Sequence, residues 1–406
     1  MSNSSRAGKV RVLLVENIHA IARDLFLQGG FEVETLKQAL SPEALVEKLA
    51  EVDVLGVRSK TSIPAQVFEQ SPHLMAVGCF CVGTNHVDLE AAKRTGVAVF
   101  NAPFSNTRSV AEMTISNVVA LSRQIGQRNV ELHQGIWNKK SDGCFEVRGK
   151  TLGIVGYGNI GTQVSAMAEA MGMRVVFYDI QSKLPLGNAK PMPDLGHLLR
   201  EADFVTLHVP ATPLTQWMMG AEEIAQMKPA SYLLNASRGN VVVIEALAEA
   251  LQQKKLAGAA VDVFPVEPEG NGPGFQTTLR GIPNVILTPH IGGATEEAQG
   301  NIGREVATAL IRHLQNGSTE GAVNLPTVAA PSVSGGHRLL NLHRNVPGVL
   351  SEINQAVAGS GANILSQHLA TDPEVGYLIM DFDRELPSAV LERIRGLSAS
   401  MRTRLL

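Results

Sequence analysis

The chain has few cysteines, no surplus of positive charge and no long hydrophobic run, and each shortage excludes a class of protein. Its 406 residues include three cysteines, Cys79, Cys81 and Cys144, an odd number without the paired spacing of a metal site. We therefore expect no metal, and the reduced thiols of a cytoplasmic protein, with Cys81 as buried filler rather than a reactive group. The formal net charge of −3 also argues against a nucleic-acid-binding surface, which needs clustered positive charge.

The apolar segments of the chain are short. No stretch reaches the ~18 apolar residues that a membrane helix needs. The first apolar run, VRVLLV, has the length of a buried strand rather than of a secretory signal core. We therefore predict neither a membrane span nor a leader. Hydrophobic residues at 44% and charged residues at 18% are typical of a globular protein, and the length predicts two or three domains.

From residue 10 to residue 100, short apolar runs alternate with helical patterns, which predicts a parallel α/β unit. The predicted strands are VRVLLVE, FEVETL, VDVLGVRS, LMAVGCFCVG and GVAVFNAP. One of the helices between them begins with Ser41 as its cap and Pro42 as its first helical residue. A long helix, roughly Ser109 to Gln134, then leads into a second unit of the same kind, which begins at Lys150.

The later part of the chain completes this predicted organisation. The helix after His290 has no following strand of the second unit, so we expect it to return to the first unit. The C-terminal residues follow a strand–helix–strand–strand–helix–strand order, which is ferredoxin-like. The predicted α/β fold therefore has two doubly wound units and a smaller third domain. The boundaries are 1–105 with 297–325 for a discontinuous first domain, 106–296 for the second, 326–336 for a linker and 337–406 for the third.

A glycine-rich turn opens the second unit between an apolar strand and a helix. Its G-x-G-x-x-G pattern becomes a strong dinucleotide signal because a second strand ending in Asp179 follows. Glycines allow the tight turn, the approach of a pyrophosphate and close helix–strand packing, and the helix N-terminus faces the phosphates. An acidic residue at Asp179 accepts hydrogen bonds from ribose hydroxyls and repels a 2′-phosphate, which predicts NAD rather than NADP. The residues of this turn are Gly156, Gly158, Asn159, Ile160 and Gly161.

Three later strands of this unit are each followed by a polar residue. Arg238, Glu267 and His290 follow SYLLNAS, AVDVF and VILTP. Because the carboxyl ends of strands face the ligand crevice of a doubly wound sheet, we expect the three to converge beside the nicotinamide. His290 would take the hydroxyl proton of a 2-hydroxy acid, Arg238 would grip its carboxylate, and Glu267 would orient the imidazole and favour its charged form. Each residue singly has a plainer interpretation as an ion pair or a core histidine.

The motifs GYGNIG, NASRGNVV, GAAVDVFPVEP and LTPHIGGAT resemble, in order and spacing, those of the D-2-hydroxyacid dehydrogenases. The resemblance implies an NAD-dependent oxidoreductase with a Rossmann domain, with Arg238 binding substrate, Glu267 supporting His290, and His290 as acid and base. It implies that the first domain binds substrate and the second binds NAD. It also implies further cofactor contacts from Ala236, Arg238, Asp262, Gly292, Gly293, Ala294 and Thr295.

Within that family, the motifs GVRSKT, GCFCVGTNHVDL, NAPFSNTRSVAE and LHRNVPGVLSEIN resemble the short bacterial type that acts on 3-phospho-D-glycerate. That resemblance implies the first step of L-serine biosynthesis. A dianionic phosphate needs a basic cluster, and Arg58, Ser59, Lys60 and Lys139 are the expected substrate contacts, with Lys140 equally well a solvated charge. The related enzymes often have arginine where Lys60 stands, so a point charge replaces a bidentate grip there. Asn106 is either a substrate or cofactor contact near the hinge or a simple turn residue.

The C-terminal domain resembles an ACT domain, a module that binds amino acids at a dimer interface. The resemblance implies that His343, Asn345 and Asn363 hold a serine effector that inhibits the enzyme, with a hinge at Gly335–Gly336. A plain dimerisation module, with asparagines that only cap turns, is the alternative. By analogy the assembly is a homotetramer. In the related enzymes Trp137 lies at a subunit contact, although a core position fits the sequence as well.

The sequence is also compatible with two other functions. The first is a dehydrogenase of another acid, such as 2-hydroxyglutarate or glycerate. The second is a non-catalytic NAD sensor, since proteins of that class keep the same three catalytic residues. The basic cluster and the ACT-like domain favour the enzyme that acts on the phosphorylated acid.

Overall fold

The computed structural model describes residues 9–268, 270–331 and 337–406. It divides into two compact units: Met1–Ser105 with Gln299–Leu406, and Asn106–Ala298. The predicted hinge at Gly335–Gly336 lies outside the described residues. In the part of the chain that is described, no helix has the length and apolar character to cross a membrane.

The first unit begins with a five-stranded parallel sheet of order β2-β1-β3-β4-β5. Its strands are bounded by polar or glycine-rich turns, and β3 and β4 are buried along their whole length, as parallel strands covered on both faces must be. As predicted, Ser41 caps the second helix by accepting a hydrogen bond from the Ala44 amide. The elements are β1 Arg11–Leu14, α1 Ala20–Gln28, β2 Glu32–Thr35, α2 Pro42–Leu49, β3 Val54–Val57, α3 Ala65–Gln70, β4 Ala76–Cys79, α4 Leu89–Thr95 and β5 Ala98–Phe100.

The second unit contains a seven-stranded parallel sheet of order β12-β11-β10-β9-β6-β7-β8. A 3-10 turn, Gly239–Val241, follows strand β10. The elements are α5 Thr107–Ser122, α6 Ile125–His133, β6 Thr151–Val155, α7 Asn159–Ala170, β7 Arg174–Tyr178, β8 Lys190–Pro191, α8 Leu195–Glu201, β9 Phe204–Leu207, α9 Ala221–Gln226, β10 Ser231–Asn235, α10 Ile244–Gln252, β11 Leu256–Val261 and β12 Val285–Leu287.

The single long helix predicted from Ser109 to Gln134 is wrong, because the chain breaks between α5 and α6. Gln124 adopts a left-handed conformation, with φ of 54°, and its side-chain amide donates to the carbonyl of Gly143. Ser122 is tied to Phe145 by two hydrogen bonds, one from its hydroxyl and one to its carbonyl. These contacts to a distant segment end the first helix, and the local helical pattern cannot reveal them.

Helix α11, Glu296–Asn316, begins in the second unit and ends in the first. Its Val306, Leu310 and Leu314 lie in the same buried cluster as residues of β1 and β4. A side chain at Gly78 of β4 would collide with Leu310, so a glycine lets the helix lie close on the sheet. The helix therefore contributes to the core of the first unit.

The C-terminal part of the first unit is a four-stranded antiparallel sheet of order β14-β15-β13-β16 with two helices. One face of the sheet packs on α12 and α13, and residues of the other face join the cluster formed by α11 and the parallel sheet. The elements are β13 His337–Arg344, α12 Val349–Ala358, β14 Ile364–Thr371, β15 Val375–Phe382, α13 Ser388–Arg395 and β16 Ser400–Leu405. The predicted fold class, two doubly wound sheets and a ferredoxin-like domain, is confirmed.

Candidate active site

The three predicted catalytic side chains follow three adjacent strands of the second unit. Arg238 follows β10, Glu267 follows β11 and His290 follows β12, and these strands are parallel neighbours. Parallel strands end at the same edge of a sheet, so the three connections leave from one place. The convergence predicted from the strand ends is therefore present in the structure.

The side chains of His290 and Glu267 are hydrogen-bonded to each other. The imidazole Nδ1 lies 2.8 Å from Glu267 Oε2, and Glu267 Oε1 accepts a hydrogen bond of 3.0 Å from the Phe264 amide. The hydrogen bond to Glu267 raises the pKa of His290, against a smaller opposing effect of burial. Burial alone would raise the pKa of Glu267, but the bonds from His290 and Phe264 outweigh it and lower that pKa. With Nδ1 directed at the carboxylate, Nε2 is the atom left to exchange a proton.

The backbone around His290 is strained and is held in place by Asp262. His290 has a positive φ of 55°, and its amide donates to the Asp262 carbonyl at 2.8 Å. The buried Asp262 carboxylate accepts hydrogen bonds from the Thr288 hydroxyl and from the amides of Ile291 and Gly292. Strained backbone at a proton-transfer residue persists only when its surroundings enforce it. Asp262, expected to contact cofactor, is thus also the residue that shapes the histidine loop.

A close backbone approach brings the arginine segment to the glutamate segment. A Cβ atom at Gly239 would lie 1.9 Å from the Phe264 carbonyl oxygen, so only glycine fits. Arg238 precedes this glycine, and its guanidinium donates to the Ser237 carbonyl at 2.7 Å. The positive charge of Arg238 makes a smaller contribution to both pKa values: it adds to the lowering for Glu267 and opposes the raising that the Glu267 bond causes for His290.

The glycine-rich turn has the geometry of a pyrophosphate cradle. Gly156 has φ of +93°, and a Cβ there would lie 2.4 Å from the His208 carbonyl oxygen. A Cβ at Gly161 would lie 2.3 Å from the Gly156 carbonyl oxygen. A Cβ at Gly158, in contrast, would meet no atom of the described residues within 4 Å, so this face of the turn is open. Helix α7 begins at Asn159 without a side-chain cap, which leaves its first amides for a ligand.

Asp179 lies at the end of β7 beside this turn. One carboxylate oxygen accepts the Tyr157 amide at 2.9 Å and the other accepts the Gln181 amide at 2.9 Å. Each carboxylate oxygen has further lone pairs, so ribose hydroxyls can still be accepted. The residues present therefore fit an NAD molecule: an open turn, an uncapped helix N-terminus that includes Ile160, and an acidic residue beside them.

Asn106 lies against the loop that follows the catalytic histidine. A Cβ at Gly293 would lie 2.6 Å from Asn106 Nδ2, and Ser109 at the start of α5 bonds to Thr295 at 2.8 Å between hydroxyl oxygens. Asn106 Oδ1 is buried without a hydrogen-bond partner among the described residues. Loop residues 292–295, which include Ala294, are therefore beside Asn106. Ala236, another expected cofactor contact, is half-buried just after β10.

The expected phosphate-binding residues of the first unit lie just after β3. Arg58 is half-buried, while Ser59 and Lys60 are exposed. Glu16, the residue after the buried Val15 at the end of the first strand segment, accepts hydrogen bonds from the amides of this loop. Glu16 is not among the residues predicted from the sequence, although an acidic residue directly after an apolar strand is a signal. Lys139 is exposed in the second unit, so its place in the same cleft stays a prediction.

The three expected effector residues differ in exposure. Asn345 and Asn363 are exposed, and the Asn345 side-chain amide donates to the Asp372 carbonyl at 2.7 Å. His343 is buried, 1% exposed, and its Nδ1 lies 3.0 Å from Asn341 Oδ1. A Cβ at Gly376 would lie 2.3 Å from His343 Nε2, so the ring is enclosed inside the domain.

Comparison with known proteins adds to this geometry. Residues 115–292 match the D-isomer specific 2-hydroxyacid dehydrogenase NAD-binding domain, and residues 339–398 match an AHAS small subunit-like ACT domain. A protein of Dictyostelium discoideum named D-3-phosphoglycerate dehydrogenase is 49% identical over 398 residues, which cover 98% of this chain and 97% of the relative. An Escherichia coli protein of the same name is 49% identical over 401 residues, 98% of each chain.

A solved structure with the same fold carries a cofactor. It is a D-isomer specific 2-hydroxyacid dehydrogenase from Lactobacillus delbrueckii in its NAD-complexed form, 28% identical with a TM-score of 0.68. The match covers 78% of this chain and 100% of the solved chain. The fold, the glycine-rich turn and the paired histidine and glutamate therefore occur together in a chain that is 49% identical to these relatives over 98% of its length.

Proposed function

The chain belongs to the D-isomer specific 2-hydroxyacid dehydrogenase family, and from this premise we propose that it oxidises 3-phospho-D-glycerate to 3-phosphohydroxypyruvate. It is an NAD-dependent dehydrogenase with an NAD-binding domain at residues 115–292. The near-full-length relatives named D-3-phosphoglycerate dehydrogenase support the choice of substrate. In this role the protein starts the synthesis of L-serine.

The three catalytic residues divide the chemistry of oxidation between them. NAD, when bound, supplies the acceptor for the hydride of the substrate carbon. His290 takes the hydroxyl proton at Nε2, and the imidazolium formed is stabilised by Glu267 at 2.8 Å. Arg238 binds the carboxylate through its planar guanidinium, which fixes the face of the substrate that is presented. In reduction the same imidazolium returns the proton.

The substrate phosphate is assigned to the basic residues of the substrate-binding domain, 1–105 with 297–325. Arg58 offers a bidentate contact and Lys60 a point charge at one loop, and the Ser59 hydroxyl can donate a hydrogen bond. Lys139 and Asn106 of the NAD-binding domain, 106–296, complete the proposed substrate contacts. An unphosphorylated acid needs no such cluster, so the cluster favours the phosphorylated substrate.

The observation that carries the proposal is the His290–Glu267 pair beside Arg238 in a chain with the NAD turn. The test is NADH formation from 3-phosphoglycerate, with the product trapped because the oxidation is uphill, and with D-glycerate and D-lactate as controls. We expect turnover selective for the phosphorylated acid. Equal turnover of the unphosphorylated acids would overturn the substrate assignment, and no turnover at all would favour a non-catalytic NAD sensor.

We also propose that the ACT domain, 337–406, binds L-serine and that serine inhibits turnover. Helix α12 begins after Gly348, which has φ of +92° and no side-chain cap; the Val349 amide donates to the Val346 carbonyl, and the amides that follow it in the first turn are available to a carboxylate. Asn345 and Asn363 are exposed for contact, whereas His343 would have to reach the ligand from inside the domain. Serine titrated into the phosphoglycerate assay tests this directly, and unchanged turnover at millimolar serine would contradict it.

The assembly we propose is a homotetramer of a cytoplasmic protein. Trp137 is 81% exposed, and Leu132 and Ile136 nearby are also more than half exposed, an apolar surface of the kind that a second copy covers. The structure places none of the three cysteines in a disulfide, which agrees with a reducing compartment. Light scattering of the purified protein would give the number of subunits, and a monomer would contradict the proposal.

A further inference from the structure

We infer that Glu16 is a positioning residue for recognition of the substrate phosphate: it holds the loop that presents Arg58 and Lys60. The inference rests on the proposed function, since that function assigns the phosphate to this loop. Glu16 lies outside the catalytic residues and outside the glycine-rich turn, and its carboxylate contacts the loop only through backbone groups.

The contacts of Glu16 are concentrated on one short segment. Its carboxylate Oε1 accepts the amides of Arg58 at 3.0 Å and Thr61 at 2.9 Å, and Oε2 accepts the amide of Lys60 at 3.0 Å. The glutamate is 7% exposed, and Thr61 is fully buried. Three charge-assisted hydrogen bonds, donated by the backbone amides to one buried carboxylate, fix the loop backbone far more firmly than a surface contact would.

The glutamate is itself held in an unusual backbone conformation. Glu16 and Asn17 have φ of 63° and 53°, and both are in the left-handed region that non-glycine residues rarely adopt. Their amides donate to the carbonyls of Gln38 and Leu36, in the segment after β2. Such consecutive strain is kept only where the surroundings over-determine it, which is typical of a functional loop.

The far end of the same loop is also fixed. The Ile63 amide donates to the His86 carbonyl at 2.7 Å, and the Asp88 amide donates to the Ile63 carbonyl at 2.9 Å. Between Glu16 at one end and this bridge at the other, Arg58 and Lys60 have little backbone freedom. Their side chains can therefore be presented to an anion without a further loss of backbone entropy on binding.

The negative charge of Glu16 indicates that the residue positions the loop and does not attract the phosphate. A carboxylate beside two cations weakens the pull on a dianionic phosphate, so charge alone gives no reason for an acid here. Because Glu16 accepts the hydrogen bonds of the three loop amides, the side chains of Arg58 and Lys60 are the groups of this loop that can bind the phosphate. Loss of Glu16 should therefore weaken recognition of the phosphate and leave proton and hydride transfer unchanged.

The test is Glu16→Gln, which keeps the size of the side chain but turns one acceptor oxygen into a donor facing a donor. We expect KM for 3-phosphoglycerate to rise on the order of tenfold to a hundredfold with kcat little changed, because a charge-assisted contact that orders the loop is lost. For D-glycerate, which has no phosphate, we expect kcat/KM to change less than about threefold by the same argument. The selectivity between the two acids should fall accordingly.

Two further variants separate the explanations. Glu16→Asp keeps the negative charge but shortens the side chain. If Glu16 acts by holding the loop amides in position, this variant should also lose selectivity for the phosphorylated acid. If only its charge acts, the variant should behave as wild type. Asp53→Asn is the matched control, because Asp53 accepts the Arg11 amide at 2.8 Å at the opposite end of the same sheet. We expect Asp53→Asn to have the wild-type kcat and KM for both 3-phosphoglycerate and D-glycerate when serine is absent.

Amide hydrogen exchange at residues 58–61 gives a measurement that needs no substrate. Faster exchange in Glu16→Gln, with the melting temperature maintained, is expected. Unchanged exchange, or an equal fall in activity on both acids, would overturn the inference. If the wild type does not oxidise 3-phosphoglycerate, the proposed function fails on its own, and the exchange result still decides whether Glu16 holds the loop.

Discussion

The histidine that exchanges the proton carries a pKa above that of an isolated imidazole, because Glu267 bonds to its Nδ1. Oxidation needs neutral His290 and reduction needs imidazolium. Glu267→Gln removes the negative charge and lowers the pKa of His290. The rising limb of the pH profile for oxidation and the falling limb for reduction should therefore both move to lower pH, as measured by kcat/KM in each direction.

The matched control for this prediction is His290→Asn, which removes the titrating group. General acid–base catalysis contributes ~10²–10⁴-fold to a rate, so we expect a loss of this order and no limb from this residue in the profile. A limb that stays at its wild-type pH in Glu267→Gln would show that another group sets it. Loss of activity without any shift would mean that Glu267 acts only on the orientation of the ring.

At the scale of elements, alanine substitutions at two glycines of the turn between β6 and α7 should have different effects, one on stability and one on NADH binding. Gly161→Ala would place a Cβ 2.3 Å from the Gly156 carbonyl, so the turn must move and the melting temperature should fall. Gly158→Ala meets nothing within 4 Å among the described residues, so the fold should be kept. Its methyl group would, however, occupy the open face of the turn, and we expect NADH affinity to be lost.

Fluorescence titration with NADH and thermal unfolding of the same samples would check both variants. The prediction for the cradle requires Gly158→Ala to melt as the wild type does while binding NADH at least ~10-fold more weakly, about 1.4 kcal/mol. Normal NADH binding by this variant would mean that the pyrophosphate lies elsewhere.

Much of the architecture could be predicted because local patterns carry it. Buried parallel strands are continuous apolar runs, and the polar residue after each run, such as Arg238 or His290, reveals the edge that carries the site. The contacts that complete the site are not local. Nothing in the sequence indicates that Gly239 touches Phe264, or that one Asp262 carboxylate orders a loop some residues further along the chain.

The burial of His343 shows a second limit of sequence patterns. In a strand with one exposed face, alternation tells which side chains face solvent. Strand β13 is buried on both faces, with Leu339 packed on the helices and Leu340 in the core shared with α11. Alternation along β13 therefore could not show whether His343 would be open to an effector.

At the scale of the whole molecule, the buried Arg338 pairs with Asp381 inside the C-terminal sheet and also ties that sheet to the segment before it. Two hydrogen bonds of 2.6 and 2.9 Å link the side chains, and Arg338 also donates to the carbonyls of Asn316 and Pro331. Asp381→Asn leaves the arginine charge buried without its partner. We expect the free energy of unfolding, measured with urea, to fall by ~3–5 kcal/mol.

This effect should depend on pH. Burial alone would raise the pKa of Asp381, but the bonds from Arg338 and Ser366 outweigh it, so the pKa is lowered in the folded state. A carboxyl of this kind stabilises fully above its unfolded pKa, ~3.9 for aspartate, and less as pH falls through the folded value. The difference between wild type and variant should thus be largest near neutral pH and shrink in acid.

Asp383→Asn is the control for the buried pair, because Asp383 forms an exposed pair with Arg384 just beyond the same strand. Exposed pairs contribute little, so no resolved change in stability is expected. If both variants lose the same free energy of unfolding, the loss comes from a general sensitivity of this end of the C-terminal sheet, and the buried pair makes no contribution of its own.

The two tryptophans of the chain, Trp137 and Trp217, both lie in the second unit, 81% and 42% exposed. Indole emission therefore reports on the nucleotide-binding half alone, while the first unit is silent at that wavelength. Far-ultraviolet circular dichroism, in contrast, detects the helices of both units. If the two signals change at different denaturant concentrations, the halves melt separately, and the enzyme has a built-in optical reporter of which half opens first.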